Sequence, residues 1–144
     1  MSLQRSEHAY EITWLIRRLF RAMAAVADQY LADTGLSAAD RAVMEFLHPR
    51  LELSVPEIAR RYNVSRQHVQ VTINALVARG LVRSVENPQH KRSRLMRLSN
   101  AGRMSFQEIR RSEAAVIEET FSDISDDALE TTRETLTALL SKLG

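Results

Sequence analysis

Residues 54–80 read SVPEIARRYNVSRQHVQVTINALVARG, and this stretch decides the fold. Ser54 precedes Glu57 by three residues, which is the capping-box pattern of a helix start, and the proline between them is tolerated in a first helical turn. Ser65 has the side chain of a second N-cap, and Gly80 is the residue type that most often follows a helix end. Two capped helices joined by a turn of about three residues form the helix-turn-helix pattern.

Apolar spacing sets the bounds of these elements and of those that follow them. It predicts helices over residues 56–62 and 66–79. Residues 81–86 and 92–98 then predict two strands, and residues 87–91, which include a proline, predict the tip of a hairpin between them. The pair of helices is therefore expected to carry a small antiparallel β wing.

Amphipathic helices flank this region on both sides. One is predicted over about residues 6–33, and a short one runs from Ser37 to about residue 47. Ser99 and Ser125 each open a helix downstream, and leucines in the last helix repeat by three and four in a coiled-coil-like seam. The fold class is mainly α with a small antiparallel β wing (α+β).

The basic residues of the chain are concentrated in one window. Residues 54–103 contain ten Lys and Arg against two Glu, a net charge of +8, whereas the chain as a whole is only +2 and its remainder is therefore −6. Residues 104–144 have four basic and nine acidic residues, a net charge of −5. A basic block beside an acidic remainder is typical of a surface that binds a polyanion, while a merely solvated surface would intersperse the two signs.

Several short segments occur in an order that is more specific than any one of them: LSVPEIA at 53–59, VS at 64–65, LVARGLV at 76–82, NP at 87–88, KR at 91–92, LS at 98–99, and Gly102. In this order they closely resemble the MarR family of winged helix-turn-helix regulators, over essentially the whole chain. The resemblance implies an obligate homodimer with a small-molecule pocket between its dimerising and DNA-binding parts. In that arrangement residues 1–36 and 104–144 would be N- and C-terminal dimerisation helices, and residues 37–103 would be the winged helix-turn-helix lobe.

Two departures from the family pattern bear on DNA binding. His90 stands two residues before Arg92, where the family usually has an acidic residue, so the ion pair expected to hold the wing arginine is weakened and the wing geometry is expected to depend on pH. Val71 and Ala75 occupy positions where the recognition helix often has arginines. The DNA sequence preference of relatives therefore does not transfer to this chain.

The second helix of the pair has one face for the core and one for a ligand. Val69, Ile73 and Leu76 share the core face. The opposite face carries Gln67, Val71, Asn74 and Ala78, with His68 and Gln70 at its flanks. Amides pair bidentately with adenine and a valine contacts a thymine methyl group, so this face suits base edges; the alternative is an ordinary polar helix surface. Ser65 and Arg66, at the helix N-terminus, are expected to bind a phosphate.

The wing supplies the remaining candidates. Strand alternation places Arg92 and Arg94 on one face and Lys91 at the tip. Arg92 is expected to enter the minor groove, and Lys91, Arg94 and Arg97 are expected to contact phosphates. Arg83 is either a phosphate contact or a solvated strand residue.

These features predict a sequence-specific transcription regulator, a repressor in the favoured interpretation, that binds double-stranded DNA as a homodimer. A two-fold dimer recognises a pseudo-palindrome whose half-site centres lie about 10 bp apart. The alternatives left open are a winged-helix module that contacts proteins without binding DNA, and a helical bundle that binds a metal or a ligand.

Catalysis, a metal and a cofactor are not expected. There is no cysteine, no phosphate-binding glycine loop and no nucleophile elbow. Glu45 and His48 have the spacing of a di-iron ligand pair, but no second such pair is evident. With no apolar run long enough for a bilayer and no signal pattern, a cytoplasmic location without membrane contact is expected.

The sequence also contains candidate residues for an effector site. Tyr10, Trp14, Arg17, Phe20 and Arg21 lie on the first helix and are suited to an aromatic or anionic ligand. The alternative for each of them is the core or the dimer interface.

Overall fold

The computed structural model describes residues 1–144, which form two compact units, residues 1–38 and 39–144. The first unit contains the long helix α1 (Leu3–Leu31), followed by a 3₁₀ turn over Ala32–Thr34. Gly35 ends this turn with a φ of 70°, a left-handed conformation that glycine adopts without steric cost. No helix of the chain combines the length and apolar character needed to cross a membrane.

The second unit begins inside α2 and continues to the C-terminus. Its elements in chain order are α2 (Ala38–Leu47), β1 (Leu53–Ser54), α3 (Val55–Tyr62), α4 (Arg66–Ala78), β2 (Val82–Val85), β3 (Leu95–Leu98), α5 (Asn100–Thr120) and α6 (Asp126–Leu143). The mainly α fold with a small antiparallel sheet is confirmed.

Four of the predicted helix starts are confirmed at their serine caps. Ser54 and Glu57 form a reciprocal capping box, with the Ser54 hydroxyl accepting from the Glu57 amide at 3.3 Å. The Ser65 hydroxyl accepts from the His68 amide at 3.0 Å and opens α4. Ser99 and Ser125 cap α5 and α6 through the same kind of bond. Serine caps of this kind contribute about 1 kcal/mol each to helix stability.

The predicted two-stranded hairpin is wrong in two respects. First, the strands are shorter than predicted, because residues 86–94 form a loop. Second, the sheet contains a third strand, β1, which pairs with β3, so the strand order is β1-β3-β2. Leu53 lies opposite Met96 in this sheet. The third strand was missed because two residues give no alternating pattern of their own, and the partner strand lies about forty residues further along the chain.

The core of the second unit is formed by buried side chains of α2, α3, α4, α5 and the sheet. The core face predicted for α4 is confirmed, since Val69, Ile73 and Leu76 are at most 1% exposed. Thr72 is also buried, and its hydroxyl donates to the His68 carbonyl at 3.1 Å, which satisfies its polar atom. In contrast, α6 has no buried residue.

Candidate nucleic-acid interface

The N-terminus of α4 is open to solvent. Arg66 and Gln67 are exposed directly after the cap at Ser65, and the free backbone amides of this first turn, with the positive end of the helix dipole, favour an anion. The first turn contains no acidic residue that would oppose this. The predicted phosphate contact at Ser65 and Arg66 therefore lies at an accessible position, and it stays a prediction.

The rest of the outward face of α4 is accessible as expected. Val71 is 64% exposed, and Gln67, His68, Gln70 and Asn74 are exposed as well. The Gln70 side chain donates from Nε2 to Asn74 Oδ1 at 2.8 Å. This bond aligns two amides one helical turn apart and leaves the Asn74 amide nitrogen and the Gln70 oxygen available for base edges.

The loop of the wing is held by its own backbone and side chains. Asn87 donates from Nδ2 to the Ser93 carbonyl at 2.9 Å and accepts at Oδ1 from the Gln89 amide at 3.1 Å. The Ser93 amide donates to two acceptors of His90. The ring Nδ1 of His90 lies at 3.1 Å, and the carbonyl oxygen of His90 lies at 3.2 Å. His90 thus bonds to the loop backbone, and this bond requires an unprotonated Nδ1.

Arg92 and Arg94 do not lie on one strand face, which corrects the prediction from strand alternation. Both precede β3, because the bonds of Asn87 and His90 to Ser93 give the backbone a turn where alternation assumed a strand. Arg94 donates to the hydroxyl and the carbonyl of Ser84 in β2. Arg92 is exposed and makes no hydrogen bond or ion pair within the chain. Lys91 is exposed in the loop, as predicted.

The wing and α4 face a common cleft. This open cleft has a volume of about 470 Å³ and is lined by Val55, Pro56, Arg66, Gln67, Gln70, Arg92, Ser93, Arg94 and Met96. Five predicted residues from two distant segments are thus brought together: Arg66, Gln67, Gln70, Arg92 and Arg94. The other predicted residues do not line it: Ser65, His68, Val71, Asn74 and Lys91.

Some residues of the cleft were missed by the sequence reasoning. Val55 and Pro56 were assigned only to helix initiation, and Met96 only to a strand, yet all three form part of the lining. Ser93 carries no motif. The one sequence feature that points to Ser93 is its position between Arg92 and Arg94. Arg94 is the residue that hydrogen bonds to Ser84.

Arg97 was predicted to bind a phosphate, and its surroundings differ from that expectation. Its Nη1 lies 3.2 Å from Glu52 Oε1, and its side chain is 22% exposed. In register it lies opposite Arg83, on the face of the sheet that alternates away from Met96 and the cleft. Arg97 is therefore not part of the cleft, and neither is Arg83.

The candidate effector residues all lie on α1. Tyr10 and Trp14 are 75% and 55% exposed, and Arg17, Phe20 and Arg21 are exposed too. Trp14, Arg17, Phe20 and Arg21 border one open surface depression, together with Ile16 and Arg18, whereas Tyr10 lies outside it. The assignment of these residues to an effector site stays a prediction.

The Glu45 and His48 pair has other contacts. The His48 ring packs against Phe106 with 4.9 Å between the ring centroids, and Glu45 lies 3.8 Å from the Arg41 guanidinium. Arg41 also binds Glu113 at 2.6 Å and lies over the Phe106 ring at 5.6 Å. No group of three or more His, Cys, Asp or Glu side chains is close enough to hold a metal ion.

Comparison with known proteins agrees with this geometry. Residues 34–93 match the sequence pattern described as the MarR family. The uncharacterised protein Rv2011c of Mycobacterium tuberculosis (strain H37Rv) is 39% identical over 92 residues, and the match covers 63% of this chain and 64% of that protein. The chain thus spans less than two thirds of the length of this relative.

Solved structures share the fold. The transcriptional regulator BldR from Sulfolobus solfataricus superposes with a TM-score of 0.86 at 21% identity, covering 99% of both chains. Staphylococcus aureus MarR in complex with salicylate and kanamycin superposes with a TM-score of 0.83 at 13% identity, covering 97% of this chain and 95% of that one. At these identities the likeness concerns the arrangement of helices and strands.

Proposed function

We propose that this chain is a winged helix-turn-helix protein of the MarR family and that it regulates transcription by binding double-stranded DNA. The observation that carries the proposal is the cleft in which Arg66, Gln67 and Gln70 of α4 face Arg92 and Arg94 of the wing. One element offers amides for base edges, and the other offers guanidinium groups for the backbone and minor groove. The cleft is lined by three arginines and by no acidic residue, so this surface attracts a polyanion.

The active species in this proposal is a homodimer. Apolar side chains on α6 are exposed, with Leu136 at 44%, Leu140 at 70% and Leu143 at 83%, and α1 exposes Leu15, Leu19 and Met23 at more than half of their surface. Such runs of exposed apolar side chains on helices are typical of faces that are buried in an assembly. Two copies related by a two-fold axis would read a pseudo-palindrome with half-site centres about 10 bp apart.

Repression is the mode of action that we propose, with a small molecule as the signal for release. Trp14, Phe20, Arg17 and Arg21 would bind an aromatic anion once a second subunit closes their open depression. A structural neighbour, Staphylococcus aureus MarR, is in complex with salicylate, which is such a molecule. A ligand of this kind releases DNA only if it binds better to a dimer whose lobe spacing does not match the operator. The cytoplasm, where the DNA is, is the proposed location.

A selection from genomic fragments tests the function, followed by measurement of the affinity of the purified protein for the enriched duplex. We expect an enriched pseudo-palindrome bound at least about 10³ times more tightly than random duplex at physiological salt. A protein that enriches no sequence and binds all duplexes alike contradicts the proposal and favours a module for protein contact. Addition of small aromatic acids to the same binding assay tests release.

A further inference from the structure

Two arginines lie on the face of the sheet that is turned away from the cleft, and two more lie near them. Arg83 of β2 and Arg97 of β3 lie directly opposite each other in the antiparallel register, so their side chains share one face. Their neighbours in the strands, Val82 and Met96, alternate to the other face, and Met96 lines the cleft. Arg103, in the first turn of α5, hydrogen bonds to the carbonyl of Leu98, the residue after Arg97. Its charge interacts with those of Arg50, Arg83 and Arg97. We call these four residues the outer cluster.

Two members of the outer cluster are held in fixed positions. Arg97 pairs with Glu52 at 3.2 Å, and its Nε is buried without a hydrogen-bond partner. Arg103 donates from Nη1 to the Leu98 carbonyl at 3.2 Å and from Nη2 to Asn100 Oδ1. These bonds leave several guanidinium N–H groups free. A fixed guanidinium loses less side-chain entropy when it binds a ligand than a flexible one does.

The cluster is unfavourable for the chain on its own. Arg83 and Arg97 are like charges on directly opposed strand positions, an arrangement that destabilises a sheet. Arg103 is a cation in the first turn of a helix, where the helix dipole favours an anion. Partial burial lowers the pKa of Arg103, and the charges of Arg50, Arg97 and Arg83 lower it further.

Charge balance does not explain the arrangement either. Within the outer cluster, only Arg97 has an acidic partner, Glu52, so that four cations are opposed by one anion. Like charges on paired strand positions and a cation in the first turn of a helix are both locally unfavourable. Residues that combine several such unfavourable features are typical of functional sites. Arginines gathered around a buried unpaired donor are suited to an oxyanion, because the planar guanidinium presents parallel N–H groups to two oxygens of a phosphate.

We infer that the outer cluster is a binding site for a small phosphate-bearing anion, separate from the surface that we propose for DNA. DNA in the cleft would contact the opposite face of the sheet, so the backbone of that duplex is not the partner that the geometry favours. A bound phosphate would accept from the exposed Arg50 and Arg83 and from the anchored Arg97 and Arg103. It would also relieve the repulsion among the four charges.

Inorganic phosphate is the probe for the test, added to the full-length protein at constant ionic strength with chloride as the balancing anion. Unfolding temperature and calorimetric binding are measured for the wild type, for Arg83→Ala and for Arg110→Ala. Arg110 is an exposed arginine of α5 outside the cluster, so its variant has the same net charge as Arg83→Ala. Arg50→Ala is a second variant, and because Arg50 and Arg83 are both exposed, both are expected to fold.

We expect a saturable rise in unfolding temperature for the wild type and for Arg110→Ala. Arg83→Ala and Arg50→Ala should bind phosphate at least about tenfold more weakly, because each variant lacks one charge-assisted hydrogen bond. Without phosphate, Arg83→Ala should unfold at a temperature no lower than that of the wild type, since the substitution removes repulsion. An equal response of all four proteins would mean a general salt effect and would overturn the inference.

A second measurement separates a free anion from the DNA backbone. Arg83→Ala is expected to bind a random-sequence duplex with the wild-type dependence on salt. If the slope falls by about one unit, the cluster contacts DNA phosphates, and the proposal of a free anion is wrong. The phosphate titration does not depend on the proposed regulatory function, because it measures binding to the protein alone in the absence of DNA.

Discussion

The guanidinium group of Arg94 donates to the hydroxyl oxygen of Ser84, and its Nη2 lies 3.4 Å from the carbonyl oxygen of the same residue. Ser84 belongs to β2, so an arginine in the wing loop takes its position from a strand on the other side of the hairpin. Arg92, two residues earlier, has no such bond and extends into solvent. The two wing arginines that line the cleft therefore differ in how much freedom they lose on binding DNA.

Replacement of Ser84 by alanine removes the hydroxyl that holds Arg94. We expect duplex affinity to fall about two- to tenfold, which corresponds to roughly 0.5–1.5 kcal/mol for one hydrogen bond. The slope of affinity against salt should stay unchanged, since no charge is lost. Fluorescence anisotropy over a range of salt concentrations measures both quantities. Ser84→Thr keeps a hydroxyl on a strand and should retain most of the affinity; equal loss in both variants would show that the hydroxyl is not responsible.

Arg92→Ala removes one exposed cation of the cleft, which makes no hydrogen bond within the chain. The slope of the logarithm of affinity against the logarithm of salt should become shallower by about 0.9 for each phosphate that the protein no longer neutralises, with weaker binding to every sequence. Stability should change by no more than about 0.5 kcal/mol, because Arg92 makes no bond within the chain. Arg110→Ala serves as the control of equal charge and should leave the slope unchanged. A wild-type slope in Arg92→Ala would remove the wing from the DNA interface.

Gln67→Ala tests whether α4 reads bases. The variant should lose discrimination at one base pair in each half-site by about 1–3 kcal/mol, while the salt slope stays constant. Selection from a randomised duplex library reports the change as a position that becomes degenerate. Gln107→Ala, an exposed glutamine of α5, is the matched control. Recovery of the same consensus with the Gln67 variant would limit this residue to an ordinary surface role.

Gly102→Ala should destabilise the second unit severely. A Cβ atom at this position would clash with the carbonyl oxygen of Leu81 and lie 3.3 Å from a methyl group of Leu98. The Leu81 carbonyl cannot retreat easily, because it also accepts from the Ser99 amide at 3.0 Å. We expect a loss of about 3 kcal/mol or more in the free energy of unfolding, measured in urea. Ala101→Gly, the reverse exchange at an exposed neighbour, should cost no more than about 1 kcal/mol.

Leu136→Glu tests the proposed dimer. A carboxylate on a face that is buried between subunits has no partner there, so the variant should be monomeric at concentrations at which the wild type is a dimer. Light scattering after size-exclusion chromatography measures the mass directly. Thr137→Glu introduces the same charge at the adjacent, exposed position of α6 and should stay dimeric. A monomeric wild type would contradict the proposal itself.

The helices were predictable because their starts are encoded locally. Ser54 with Glu57, and Ser65 with the amide of His68, act within three residues, so the sequence contains the whole interaction. The core face of α4 was predictable for a similar reason, since a helix repeats its contacts every three to four residues.

The wing was less predictable because its contacts are not local. The short strand β1 depends on a partner about forty residues away, and the strand expected at Arg92 gives way to a loop in which Asn87 and His90 bind Ser93. The strand pattern around Arg97 gives no indication of its ion-pair partner Glu52. Glu52 lies about forty-five residues earlier, immediately before β1. Which predicted side chains share the cleft likewise depends on how α4 packs against the wing.

Ser54 has two roles that join separate parts of the second unit. It is the last residue of β1, opposite Leu95 in the sheet, and its side chain caps α3. The segment that initiates the helix pair is therefore hydrogen bonded to the strand that leads out of the wing loop. Any change in the separation between α3 and the wing would have to break this ladder or release the cap. Distortion within one lobe would therefore cost hydrogen bonds when the protein fits a duplex of different groove spacing. We expect the proposed dimer to fit such a duplex by reorienting intact lobes, because that movement breaks none of these bonds.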